Sequence, residues 1–193
     1  MRAGSSSRWR RSVRSHRTWH IAAIVLRSAS FDAHGPYELH GPLQTGGWAI
    51  DMTLLELRGR LYAVWSGWDR PGTDRQQLYA APMADDGLSI LGQRVLLVDN
   101  DTHLWERREP SAGERGLHEG PQVLQRDERT FLVYSCGASW LPTYKLGLLE
   151  LRGADPLAPG SWEKQPQPLF QSSEGTFGVG HGCVMVAQRS LIA

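Results

Sequence analysis

The stretch Trp48-Ala49-Ile50-Asp51-Met52-Thr53-Leu54-Leu55-Glu56-Leu57-Arg58-Gly59-Arg60-Leu61-Tyr62-Ala63-Val64-Trp65-Ser66-Gly67-Trp68 decides the fold. An apolar run, Thr53–Leu57, is followed by the turn pair Arg58-Gly59 and by a second run, Leu61–Ser66, with aromatic and β-branched members. Two such runs joined by a short glycine-containing turn predict an antiparallel hairpin. The pattern then recurs. His118-Glu119-Gly120-Pro121-Gln122 leads into an apolar run, a turn at Arg126-Asp127, and Thr130-Phe131-Leu132-Val133-Tyr134-Ser135. Asp51 lies 15 residues before Ser66, and Glu119 lies 16 before Ser135. A third opening is Gly180-His181-Gly182-Cys183-Val184-Met185-Val186. Asp51, Glu119 and His181 are spaced 68 and then 62 residues apart. That period holds about four strands with their loops, the size of one propeller blade. The first strand of a blade lines the central axis, so polar residues at three openings would meet at one mouth of the channel. The competing reading is a chance repeat in an unrelated sandwich.

Further strands are expected at His20–Arg27, Gln77–Ala81, Arg94–Val98, Gln122–Gln125, Thr130–Ser135 and Lys145–Leu151, with turns at Pro71-Gly72 and Asp85-Asp86-Gly87. No segment carries a helical apolar stripe, so the class is all-β. The 193 residues allow one domain with a core. Eight tryptophans divide between two roles, core filling and stacking on flat sugar faces.

Charge is unevenly spread. Residues 1–31 hold seven arginines and no acid, which leaves fourteen basic and twenty acidic residues on the remainder. A mildly acidic body argues against nucleic acid as the main partner, because phosphate binding needs clustered cations. Residues 1–19, rich in Ser and Arg and without period, are expected to be disordered, and residues 20–193 to form the domain. No apolar run nears the ~20 residues that span a membrane. Ile21–Leu26 is too short for a signal-peptide core, and Arg10-Arg11 lacks the apolar core of a twin-arginine signal. Cys136 and Cys183 form no CxxC and are expected to be small buried residues.

Convergent carboxylates, a histidine and aromatic walls suit glycosidic bond cleavage. One carboxylic acid protonates the leaving oxygen, and a second carboxylate activates water or attacks the sugar. The acid must stay protonated, and a neighbouring carboxylate promotes that by like-charge repulsion. His118-Glu119 is not read as a metal pair, because adjacent strand residues point to opposite faces. No metal ligand set is therefore predicted.

Trp48-Ala49-Ile50-Asp51, Trp65-Ser66-Gly67-Trp68, Leu78-Tyr79-Ala80-Ala81-Pro82-Met83, His118-Glu119-Gly120-Pro121 and Tyr144-Lys145-Leu146-Gly147-Leu148-Leu149 resemble glycoside hydrolase family 43. Ala154-Asp155-Pro156-Leu157, Ser161-Trp162 and Gly180-His181 do so too, and the α-L-arabinofuranosidase branch is the nearest in wording. The resemblance runs from about Val25 to about Val186. It implies a five-bladed β-propeller and an inverting mechanism on arabinose- or xylose-containing glycans. Here the chain would supply about two complete blades and parts of the first and fourth. It implies Glu119 as general acid and Asp51 as the carboxylate that tunes it. Trp48, Trp65 and Trp68 would be pocket walls, and His181 would lie near the sugar or a central ion.

The family's general base is an Asp near the start of the first blade. The stretch that precedes Val25 has no Asp or Glu, and Asp32, the first acid, lies in a loop before Gly35-Pro36. The expectation is a truncated copy without its base, weak or inactive as a hydrolase. The alternative is a propeller fragment that only binds carbohydrate or a partner. No cofactor is predicted; calcium in the channel has only His181 in view.

Overall fold

The computed structural model describes residues 21–30, 32–73, 75–107 and 115–185. The basic segment 1–19 and its expected disorder lie outside the described residues. Among the described residues, ten strands form three antiparallel sheets. Strands β1 (Ile24–Ser28) and β2 (Tyr37–Pro42) make a two-stranded sheet. The second sheet has the order β3 (Ala49–Leu57), β4 (Arg60–Trp68), β5 (Gln76–Met83), β6 (Val95–Leu96). The third runs β7 (His118–Arg126), β8 (Arg129–Cys136), β9 (Lys145–Leu151), β10 (Trp162–Lys164). Both four-stranded sheets are simple meanders, each strand paired to the next in sequence. Among the described residues the only helical turn is the 3₁₀ segment Leu104–Glu106.

The hairpin turns follow local chemistry. Leu57 pairs with Arg60 across Arg58 and Gly59, whose φ values are 52° and 70°. Positive φ at both central residues is the turn that matches strand twist, and glycine adopts it freely. The β7–β8 turn has the same form at Asp127 and Glu128, with φ of 51° and 61°, one residue later than the sequence suggested. Strands β2 and β10 were not anticipated. They are short, and β2 is exposed along most of its length, so neither shows the apolar alternation of a buried strand.

Alternation places the core. In β4, Tyr62 and Val64 face one way and Ala63 and Trp65 the other; in β5, Leu78 and Ala80 oppose Tyr79 and Ala81. The first set packs against Leu132, Tyr134, Leu149 and Trp162 of the third sheet. The second set packs with Leu43, Ala23 and Val25 beside the β1–β2 hairpin. The second sheet is thus buried on both faces. Cys136 is buried as expected, whereas Cys183 is exposed.

The repeat is real but its register differs by one residue. Ile50 pairs with Ser66, Glu119 pairs with Ser135, and each first strand then bulges before pairing resumes at Thr53 and Gln122. The bulged positions are Asp51 and Gly120, with φ of 54° and 55°, and His181 has the same conformation at 53°. Asp51, Gly120 and His181 are therefore the equivalent positions, and Glu119 corresponds to Ile50. The serine near the end of each second strand reaches forward to the next unit. Ser66 donates to the His118 carbonyl at 2.7 Å, and Ser135 accepts the His181 N–H at 2.6 Å.

Candidate active site

The bulges bring the second and third sheets together at their first strands. The Gly120 N–H donates to Asp51 Oδ2 at 3.0 Å. A Cβ on Gly120 would lie 3.3 Å from His181 Nδ1, so the glycine keeps space for the imidazole as well as adopting positive φ. Asp51, Glu119 and His181, distant in sequence, are neighbours here.

Glu119 is held at both oxygens. The Tyr144 hydroxyl donates to Oε1 at 2.5 Å, and the Gln76 amide donates to Oε2 at 3.1 Å. Burial raises the Tyr144 hydroxyl above the ordinary tyrosine range, and the bond to Glu119 and the charges of Glu119 and Asp51 add to the shift. Tyr144 also lies 3.4 Å from His181 Nδ1. Its ring occupies the space a side chain at Gly180 would need. Tyr144 and Gln76 escaped the sequence reading of the site. The available signal was positional: Tyr144 opens a quoted motif, and Gln76 faces Trp68 across the β4–β5 ladder.

Trp48 and Trp68 stack with ring centroids 4.8 Å apart and planes 8° from parallel, both half-buried. Trp68 is the cross-strand partner of Gln76, so the stack and the Glu119 carboxylate sit at the same end of the sheet. Trp65 does not join them. Its relative exposure is 0%, inside the cluster with Tyr79 and Leu43, and it cannot be a pocket wall. The cause is the strand period: Trp65 points to the face covered by the β1–β2 hairpin, so it serves the core.

His118 points away from Glu119, into the third sheet. Its Nε2 donates to Glu106 Oε1 at 2.7 Å. Glu106 is fully buried and also accepts from Tyr134 at 2.8 Å and Lys164 at 2.8 Å. Burial alone would raise this carboxyl, but the His118 hydrogen bond, the charges of His118 and Lys164, and the Lys164 bond outweigh it and hold it at about 2. Burial lowers the His118 imidazole against the opposing pull of Glu106. Sequence reading missed this network because Glu106 lies in the 3₁₀ turn between β6 and β7, which carries no strand period.

Among the described residues no three His, Cys, Asp or Glu side chains form a group that could hold a metal ion. Among the described residues no helix is long and apolar enough to cross a membrane.

A family profile, Glycosyl hydrolases family 43, matches residues 9–190. The chain belongs to glycosyl hydrolases family 43. The match begins upstream of Val25, where the sequence wording alone placed its start. This family-43 chain is 33% identical over 181 residues to alpha-L-arabinofuranosidase 43 of Humicola insolens, covering 90% of the chain and 36% of that protein. It is 31% identical over 177 residues to an extracellular exo-alpha-(1->5)-L-arabinofuranosidase of Streptomyces chartreusis, covering 88% and 51%. The crystal structure of an alpha-L-arabinofuranosidase from Lactobacillus brevis superposes with a TM-score of 0.76 at 30% identity, over 88% of this chain and 52% of that one. The chain thus spans between about a third and a half of the relatives it matches.

Proposed function

We propose that this family-43 chain forms part of a five-bladed β-propeller whose channel mouth binds an arabinofuranosyl unit and cleaves its glycosidic bond with inversion. The two four-stranded sheets are two of its blades, and the β1–β2 hairpin is part of the preceding one. Glu119 is the general acid, and Asp51 holds the adjoining backbone at Gly120 and adds negative charge beside it. Trp48 and Trp68 wall the sugar, and His181 borders it. The observation that carries the proposal is the junction at Gly120, where the Asp51 carboxylate of one sheet accepts from the backbone next to Glu119 of the other. Arabinofuranosidase activity among the relatives supports the choice of sugar.

An inverting pair also needs a carboxylate that activates water. Among the described residues, the partners of this cluster are Gln76, Tyr144, Ser135 and His181, and none is a carboxylate. These residues by themselves should therefore hydrolyse slowly, since a general base contributes about 10²–10⁴ in rate. The test is purified chain with an aryl α-L-arabinofuranoside, following aglycone release and the anomer first formed by NMR. Slow turnover to the inverted sugar is expected. Robust turnover abolished by Glu119→Gln would show that the base is present after all. Saturable binding of an arabino-oligosaccharide without turnover would reduce the function to sugar binding.

A further inference from the structure

We propose that Arg94 is a positioning residue for the tryptophan stack, fixing the geometry with which Trp48 and Trp68 receive a sugar ring; this rests on the reading of that stack as a sugar wall. Arg94 lies just before β6 on the second sheet and is distant in sequence from both tryptophans. Its Nη2 donates to the Trp68 carbonyl at 2.8 Å and to the Asp69 carbonyl at 3.4 Å. The guanidinium lies over the Tyr79 ring, 4.1 Å from its centroid. It therefore caps the end of β4 from one side while a buried aromatic ring supports it from the other. Charge-assisted bonds to carbonyls and stacking on an aromatic face are features that arginine supplies and lysine does not.

The same side chain governs the approach to Trp48. Gly46 and Gly47, with φ of 74° and 150°, run beside it, and a Cβ at Gly46 would sit 3.6 Å from Arg94 Nε. Gly67 pairs with Ala49 across the β3–β4 ladder. A Cβ there would lie 3.1 Å from the Trp48 carbonyl and 3.2 Å from Arg94 Nη1. Arg94 thus fills the wedge between the loop that delivers Trp48 and the strand end that delivers Trp68. Among the described residues Nη1 is buried without a hydrogen-bond partner. Leaving a buried donor unpaired is unfavourable, so the stability of this arrangement rests on the other guanidinium contacts, which are the ones that set the geometry. Indoles stacked face to face lose their register quickly when one backbone support moves, since the offset between rings sets their interaction.

The stack provides its own signal, because two indoles this close give a coupled circular-dichroism band pair in the far ultraviolet. Trp48→Phe in the full chain identifies that band pair by removing it. Arg94→Met, which keeps the aliphatic stem and deletes the carbonyl bonds, is expected to retain a cooperative melt while the band pair falls by about half or more. Its affinity for an α-(1→5)-linked arabinotriose should drop by about fivefold to tenfold, the scale of one aromatic contact. Arg94→Lys, which can still reach a carbonyl but not stack equivalently, is expected between wild type and Arg94→Met, and it decides the matter if Arg94→Met does not fold. An unchanged band pair in a folded Arg94 variant overturns the positioning role, whatever the affinity. A reduced band pair, with arabinotriose affinity unmoved by Trp48→Phe, leaves Arg94 as the support of the stack and overturns the sugar-wall reading.

Discussion

Glu106→Ala should lower folding stability by about 3–5 kcal/mol, the scale for removing one partner of a buried ion pair. The reason is what remains behind. Lys164 is 8% exposed and would keep its charge with no carboxylate opposite it. The His118 Nε2–H and the Tyr134 hydroxyl would each lose their acceptor in the core. The pair itself need not favour folding over an apolar replacement, because the desolvation of two ions offsets much of their attraction. Glu106→Leu combined with Lys164→Met should accordingly lose much less than Glu106→Ala. Urea unfolding of the three chains measures this, and a loss below about 1.5 kcal/mol for Glu106→Ala would mean that water reaches the network. The same groups set an acid limit. Glu106 is held at about 2 against 4.5 in the unfolded chain, so its contribution is complete above pH 4.5 and disappears as pH falls toward 2. The full shift is worth on the order of 3 kcal/mol. His118 acts in the same direction from a higher pH. Its folded value is depressed, so below 6.5 the unfolded chain takes up a proton that the folded chain resists. Stability should decline from about pH 6.5 downward, and Glu106→Ala should flatten the part below 4.5.

What could be read from sequence depended on period. Strands β3, β4, β5, β7, β8 and β9 were legible because their residues alternate against a core on one or both faces. The pairing of Asp51 with Glu119 in one site was inferred from the repeat, although the repeat aligns Asp51 with Gly120. That offset was invisible because a β-bulge inserts a residue without changing the apolar pattern around it. It also has a chemical effect: at the same bulge one sheet offers Asp51, and the other offers a glycine N–H that the aspartate accepts from. Trp65 was misassigned for a related reason. Trp65 and Trp68 are three residues apart on a strand, so they point to opposite faces, and only knowledge of the hairpin that covers one face separates core from rim. Glu106 sits in the 3₁₀ turn, and Tyr144, Gln76 and Arg94 in loops or at a strand end, where no period signals burial. Their roles arise from contacts over 12 to 58 residues of sequence, such as Lys164 with Glu106.

Glu119→Gln should reduce hydrolysis of an arabino-oligosaccharide by about 10²–10⁴, the usual contribution of a general acid. The substitution keeps the shape of the side chain and a carbonyl oxygen for Tyr144 or Gln76, so the geometry of the site should survive while the proton donor is lost. The size of the effect must depend on the leaving group. A sugar alkoxide leaves poorly without protonation, whereas dinitrophenolate leaves readily as the anion. On a dinitrophenyl α-L-arabinofuranoside the loss should shrink to about tenfold or less, because the acid has little left to supply. This contrast remains measurable even if the chain turns over slowly, since the activated substrate reports the residual activity directly. Tyr144→Phe removes one of the two donors that aim the carboxyl and should follow the same pattern on a smaller scale, costing the oligosaccharide about tenfold and the dinitrophenyl substrate little, through lost orientation of the acid. A Glu119→Gln loss that is equal on the two leaving groups would assign Glu119 to sugar binding and require another residue to be the acid. The carboxylate neighbour Asp51 separates these outcomes further. Asp51→Asn deletes negative charge beside the Gly120 N–H while leaving an oxygen to accept it, so its effect should follow the leaving group only if Glu119 is the proton donor that it influences.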